Sequence, residues 1–152
     1  MAKSLAASGC NIVLNGLAGA DQASARRREL ESEFGVKTLY HGADLRKPAE
    51  IGDLIKATLD QYGAVDILVN NAVVRHFAPI EQFETEHWDE ALAVNLSAVF
   101  HAIRLVLPHM RERKFGRIIN MTSAYGFFAT PNRIDYVTTK TALIGLTRSV
   151  AM

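Results

Sequence analysis

The sequence predicts an α/β fold, a parallel sheet with helices on both faces, and three observations carry that prediction. Short runs rich in β-branched residues and leucine alternate with longer stretches of helical period, the pattern of β-α units. One run, VDILVNNA from Val65 to Ala72, reads as a strand buried on both faces, as strands of parallel sheets are. The 152 residues, 49% hydrophobic and 22% charged with a net charge of +1, contain no repeat, linker or low-complexity stretch, so residues 1–152 form one domain.

The elements follow in order. MAKSLAASG has the pattern of the second half of a helix, ending at Gly9. NIVLNG, Asn11 to Gly16, is the first strand, and a polar helix runs from about Ala20 to Phe34, closed by Gly35. VKTLYHGADL is a second strand entering a loop at Gly42, after which Pro48 suits the first turn of a helix reaching Tyr62. Beyond VDILVNNA, a long helix extends from near Glu84 to Glu112. Leu92, Leu96, Val99, Ile103, Val106 and Met110 mark its apolar stripe, and Pro108 should end or kink it. GRIINMTS, Gly116 to Ser123, is the last strand, and DYVTTKTALIGLTRSVAM the last helix.

Composition excludes several functions. Seventeen basic residues against sixteen acidic give no field for a nucleic acid, and Arg26-Arg27-Arg28, beside Glu29, Glu31 and Glu33, reads as a solvated helix face. Cys10, the single cysteine, has no partner for a disulfide, and five scattered histidines lack metal-ligand spacing, so no metal site is expected. No apolar run of bilayer length and no charged-then-apolar leader is evident, and a reducing cytoplasm is the default compartment.

Ligands of open parallel sheets sit beyond the carboxyl ends of the strands. Asp44, the Asn70-Asn71 pair and Ser123 each end a predicted strand on that edge. Tyr136 and Lys140, four apart on a helix, share one face, which gives a phenol an ammonium neighbour. Such a neighbour favours the phenolate and moves Tyr136 toward proton exchange near neutrality. Alone, the pair would be read as an ordinary exposed helical couple.

Twelve residues separate Ser123 from Tyr136 and three separate Tyr136 from Lys140. With NNA at Asn70 to Ala72, AVNL carrying Asn95 and GADL carrying Asp44, these spacings resemble the short-chain dehydrogenase/reductase family, whose signature is S-x12-Y-x3-K. The resemblance covers essentially the whole chain and implies a Rossmann-like, doubly wound parallel sheet. It implies Tyr136 as general acid/base and Ser123 as the hydrogen-bond donor that stabilises charge on the substrate oxygen. Lys140 would also hold the nicotinamide ribose, and Asn95 would anchor a water linking Lys140 to solvent. Since no side chain supplies a hydride, a nicotinamide cofactor is implied. Asp44 and Leu45 would lie at its adenine, and Asn70, Asn71 and Ala72 along its adenosine ribose. Asn15, Gly16 and Leu17 offer neither an acid for a 2′-hydroxyl nor an arginine for a 2′-phosphate, and the missing arginine favours NAD over NADP.

Within the family, NIVLNG, YHGADL, APIE and the LPHMRER segment look most like D-3-hydroxybutyrate dehydrogenases. Where that group grips a small carboxylate with glutamine, histidine and lysine, this chain has Arg75, Tyr125 and Arg133, and two guanidinium forks suit a carboxylate. The implied substrate is a small hydroxy or keto acid, with Arg75 and Arg133 open to the plainer reading of surface charges. Trp88, Phe127 and Phe128 read first as packing residues. A homo-oligomer, dimer or tetramer, is implied for the full-length form. Two other functions fit the same residues: an NADPH-dependent 3-oxoacyl-thioester reductase, and a non-catalytic remnant acting as a binding or assembly module.

The chain also departs from the family. The fingerprint T-G-x-x-x-G-I-G, its preceding strand and the C-terminal strands are absent, and Val73 replaces the glycine of N-N-A-G. The expectation is a single partial domain, cut at both ends, with two unpaired inner strand edges where a central strand would lie. As an isolated chain it is expected to be weak or inactive.

Overall fold

In the computed structural model, which describes residues 1–151, parallel pairing organises the chain. β1 (Ile12–Asn15) pairs with β2 (Thr38–His41), placing Ile12 opposite Thr38. β3 (Ile67–Asn70) pairs with β4 (Arg117–Asn120), placing Asn70 opposite Asn120. Parallel neighbours need a crossover, and helices supply it. α2 (Ala20–Phe34) joins β1 to β2, while α4 (Thr85–Leu92) and α5 (Ala98–Glu112) join β3 to β4. α3 (Pro48–Tyr62) links the two ladders, α1 (Ala2–Ala7) precedes β1, and α6 (Ile134–Val150) follows β4.

Among the described residues β1 pairs only with β2 and β3 only with β4, so the inner edges of β1 and β3 are unpaired, as the resemblance implied. Each strand has four residues, shorter than its apolar run, because the flanks bond elsewhere. Asn11, for example, accepts the Lys37 amide through its side chain at 2.9 Å. β3 also departs from expectation, for its residues are half-buried rather than enclosed on both faces.

The helix boundaries follow local chemistry. Gly35 and Gly63 end α2 and α3 with φ of 69° and 75°, a left-handed conformation that glycine enters without a Cβ clash. Pro48 opens α3, where its missing N–H costs nothing. Pro108 does not end α5, which continues to Glu112. Burial of Val106 and Met110 on either side of it outweighs a cost of about 3 kcal/mol for an interior proline. Between α4 and α5 the long helix passes through a π turn, Ala93–Ser97, that its sequence pattern did not reveal and that holds Asn95 buried.

The run Thr85–Glu112, 28 residues with a window of mean hydropathy 1.6, is long and apolar enough to cross a membrane by length and composition. This corrects the expectation that no apolar run reaches bilayer length. Here Val99, Ile103, Val106 and Met110 are spent on the protein core. Leu68 of β3 and Ile118 of β4 carry α3, α5 and α6 on that core. Leu143 of α6, 1% exposed, packs with Val99 and Ile103 of α5. α1 and α2 make a separate core on β1 around Ala6, Ile12, Leu30 and Val36.

After β4 a 3-10 turn, Ala124–Gly126, seats against α6. A Cβ on Gly126 would stand 2.9 Å from the Thr122 hydroxyl and 3.0 Å from the Lys140 carbonyl oxygen, so only glycine permits this approach. Phe127 and Phe128, expected to pack, are instead 67% and 69% exposed.

Leu143→Ala should lower stability by about 2–5 kcal/mol in urea unfolding, whereas Phe127→Ala should stay within about 0.5 kcal/mol. Gly126→Ala should cost about 1–3 kcal/mol, because the added methyl meets a backbone carbonyl that cannot step aside. A neutral outcome in a melting curve would contradict the close seat of this turn on α6.

Candidate active site

The site grows from the matched ends of β3 and β4. Asn70 donates its side-chain amide to Asn120 at 2.8 Å, and Asn120 donates to Thr147 of α6 at 3.0 Å. Both strands point the same way, so the loops that leave them meet the start of α6.

Tyr136 lies in the first turn of α6 and Lys140 one turn later. The Lys140 ammonium is 5.7 Å from the Tyr136 ring centroid and donates to the Met121 carbonyl just past β4. Thr122 returns a bond, donating to the Lys140 carbonyl at 2.7 Å. At 4% exposure Lys140 is largely dehydrated; burial, and secondly the charge of Arg75, hold its ammonium below the usual lysine value of 10.5. Ser123 follows two residues after Met121, its hydroxyl accepting the Tyr125 amide at 3.2 Å. The Tyr125 ring meets that of Tyr136 edge to face at 6.4 Å. The structure thus gathers Ser123, Tyr125, Tyr136 and Lys140 in one place.

The arginines join them. The guanidinium carbons of Arg75 and Arg133 lie 5.7 and 5.8 Å from the Tyr136 ring centroid, and Arg133 also covers Phe77 at 3.9 Å. Three cations therefore surround one phenol. A cavity of about 510 Å³ beside Arg133, lined by Pro79, Ile80, Pro131 and Val137, includes neither Tyr136 nor Ser123.

Asn95 is fully engaged elsewhere. Its side chain accepts the Val74 amide at 2.9 Å and donates to the Val74 carbonyl at 3.0 Å and to Thr139 at 3.4 Å. It fixes the loop after β3, and no side-chain bond joins it to Lys140. At the far end of the edge, Asp44 accepts the Arg46 guanidinium at 2.7–3.0 Å and the Arg46 amide at 3.0 Å. These bonds lower its pKa to about 2. The Leu45 side chain packs toward Ile51 and Ala98, while Asn71 and Ala72 are exposed.

Sequence reasoning missed the side chains that hold this arrangement. Asn15 bonds the Ala43 backbone in both directions, at 3.1 and 2.9 Å, tying the end of β1 to the loop after β2. His76 and the buried Asp135 meet across 59 positions at 3.2 Å, a separation that leaves no local pattern. Asp135 is the one acidic residue of α6, and that was the available signal for it. Among the described residues, no group of three His, Cys, Asp or Glu side chains is placed to hold a metal ion.

Comparison with known proteins gives a family to this geometry. The model of the short chain dehydrogenase family matches residues 1–152. D-beta-hydroxybutyrate dehydrogenase of Cupriavidus necator is 43% identical over 152 residues, which are 100% of this chain and 58% of that protein. A 3-oxoacyl-acyl-carrier-protein reductase of Staphylococcus epidermidis is 35% identical over 99% of this chain and 62% of its own length. Among solved structures, a metagenomic short-chain oxidoreductase in complex with NADP superposes with a TM-score of 0.93 at 32% identity, covering 99% of this chain and 67% of that one. The chain spans about three fifths of the curated relatives it matches. With the family model matched from end to end, and the strand-end cluster built on a Rossmann-like frame, the chain belongs to the short-chain dehydrogenase family.

Proposed function

We propose that this chain carries the proton-transfer apparatus of an NAD-dependent oxidoreductase acting on the CH–OH group of a small hydroxy acid, 3-hydroxybutyrate or a close analogue. The observation that carries the proposal is Tyr136 with the Lys140 ammonium and two guanidinium groups around its ring. Tyr136 accepts the hydroxyl proton in oxidation and returns it to the carbonyl oxygen in reduction. Lys140 stands beside the ring that exchanges the proton, and Ser123 donates to the oxygen on which charge develops. Arg75 and Arg133 hold the carboxylate, and Tyr125 closes that side. Asn95 acts by fixing the Val74 backbone, and a water held near it would pass protons between Lys140 and solvent.

The residues fit a dinucleotide. Lys140 has three donors and spends one on Met121, leaving others for a ribose. Asn70, Asn71 and Ala72 would follow the adenosine ribose, and Asp44 with Leu45 the adenine. When bound, the nicotinamide supplies or accepts the hydride. NAD is favoured over NADP by the absence of an arginine at Asn15, Gly16 and Leu17, and the cytoplasm is the proposed compartment. The acting form would be a homo-oligomer, dimer or tetramer, joined through α5 and α6; exposure of Phe100 on α5 supports this.

The 35% identity to a 3-oxoacyl-acyl-carrier-protein reductase favours one second reading, an NADPH-dependent reductase of acyl thioesters. A preference for NADPH and a thioester over NADH and acetoacetate would select it. Weak turnover or none is expected of the 152-residue chain alone, since β1 and β3 share no ladder.

Tyr136→Phe should abolish NADH formation from D-3-hydroxybutyrate, and Ser123→Ala should lower it about 100-fold. Equal, measurable rates in wild type and Tyr136→Phe would contradict the catalytic reading and leave a binding or assembly module. Lys140 gives a pH prediction. Its pKa is lower folded than unfolded, so between the two values the unfolded chain binds the extra proton and stability rises with pH. Wild type should therefore gain stability relative to Lys140→Met as pH climbs toward 10.5, measured by urea unfolding.

A further inference from the structure

Asp135 is 0% exposed and directly precedes Tyr136. A buried carboxylate needs partners, and it has three donors. Its Oδ1 accepts the Tyr136 amide at 2.6 Å. Its Oδ2 accepts the His76 amide at 3.1 Å and stands 3.2 Å from His76 Nδ1. The other ring nitrogen of His76 lies 3.2 Å from Glu90, and Glu90 continues to Arg46 at 3.3 Å, which grips Asp44. His87 stacks on the His76 ring at 4.1 Å and 12°, and Phe83 meets both rings edge on, which fixes the imidazole plane.

We propose that Asp135 and His76 are positioning residues for Tyr136: they clamp the first turn of α6 to the loop that carries Arg75, and through Glu90 and Arg46 they join that turn to Asp44. This rests on the role of Tyr136 given above. The clamp sets the approach of the phenol to the substrate oxygen, and neither residue touches substrate. His76 is the neighbour of Arg75, so one contact fixes the acid/base and a carboxylate holder relative to each other.

An amide has one acceptor oxygen where a carboxylate has two, so Asp135→Asn must turn an NH₂ toward one of the donors. That variant should lower kcat on the order of 100-fold while KM for the hydroxy acid stays within about twofold, the mark of lost alignment. His76→Asn keeps a donor at the Nδ1 position and should retain most of kcat, whereas His76→Gln, which matches the other nitrogen, should not. Glu90→Gln, on the half-buried middle link, should reproduce part of the loss. Wild-type kcat in Asp135→Asn, or equal loss in His76→Asn and His76→Gln, would overturn the proposal. If the wild-type chain turns over too slowly to assay, amide exchange by NMR decides the clamp separately. Faster exchange of the His76 and Tyr136 amides in Asp135→Asn than in wild type supports it, and unchanged exchange overturns it.

Discussion

The parallel pairing of β3 with β4 is the constraint on which the rest depends. Because the two strands run the same way in register, Asn70 and Asn120 end side by side and their loops leave on one edge. The long helical crossover that parallel pairing requires is also the support for α6, through Val99, Ile103 and Leu143. One topological requirement therefore delivers Ser123, Tyr136, Lys140 and Arg75 to the same place. An antiparallel pair joined by a tight turn would have sent the two loops to opposite ends.

The electrostatics then follow from what each element buries. Lys140 loses water beside the Met121 carbonyl and faces Arg75, so a second cation weakens its hold on its proton. Asp135 is the buried negative charge nearest the phenol in sequence, and it is matched by donors rather than by a direct ion pair with Lys140. Among the described residues that division leaves the cations around Tyr136 without a carboxylate partner, as the carboxylate substrate proposed above would need. Asn95 holds Val74, the residue after Val73, by both backbone groups.

Much of this was legible in the sequence because it is periodic or local. The alternation of runs placed the four strands and the α-helical stretches between them in order, and Gly35 and Pro48 placed ends of α2 and α3. Spacing within one segment linked Ser123, Tyr136 and Lys140. The rest depends on tertiary contacts that no window sees. A single extra residue in a turn made the π segment at Asn95. Pro108 stayed helical because packing outweighed propensity. Phe127 and Phe128 are apolar letters without apolar neighbours, and the bonds from Asn15 to Ala43 and from His76 to Asp135 cross large separations.

Hydrogen–deuterium exchange of the 152-residue chain, with and without saturating NADH, tests most directly whether this strand-end edge is the working site. The account predicts slowed exchange at Asn71 to Val74, at Met121 to Gly126 and across the Tyr136 to Lys140 turn, with little change in α1 and α2. Protection confined to α1 and α2, or none at any concentration of NADH, would contradict it.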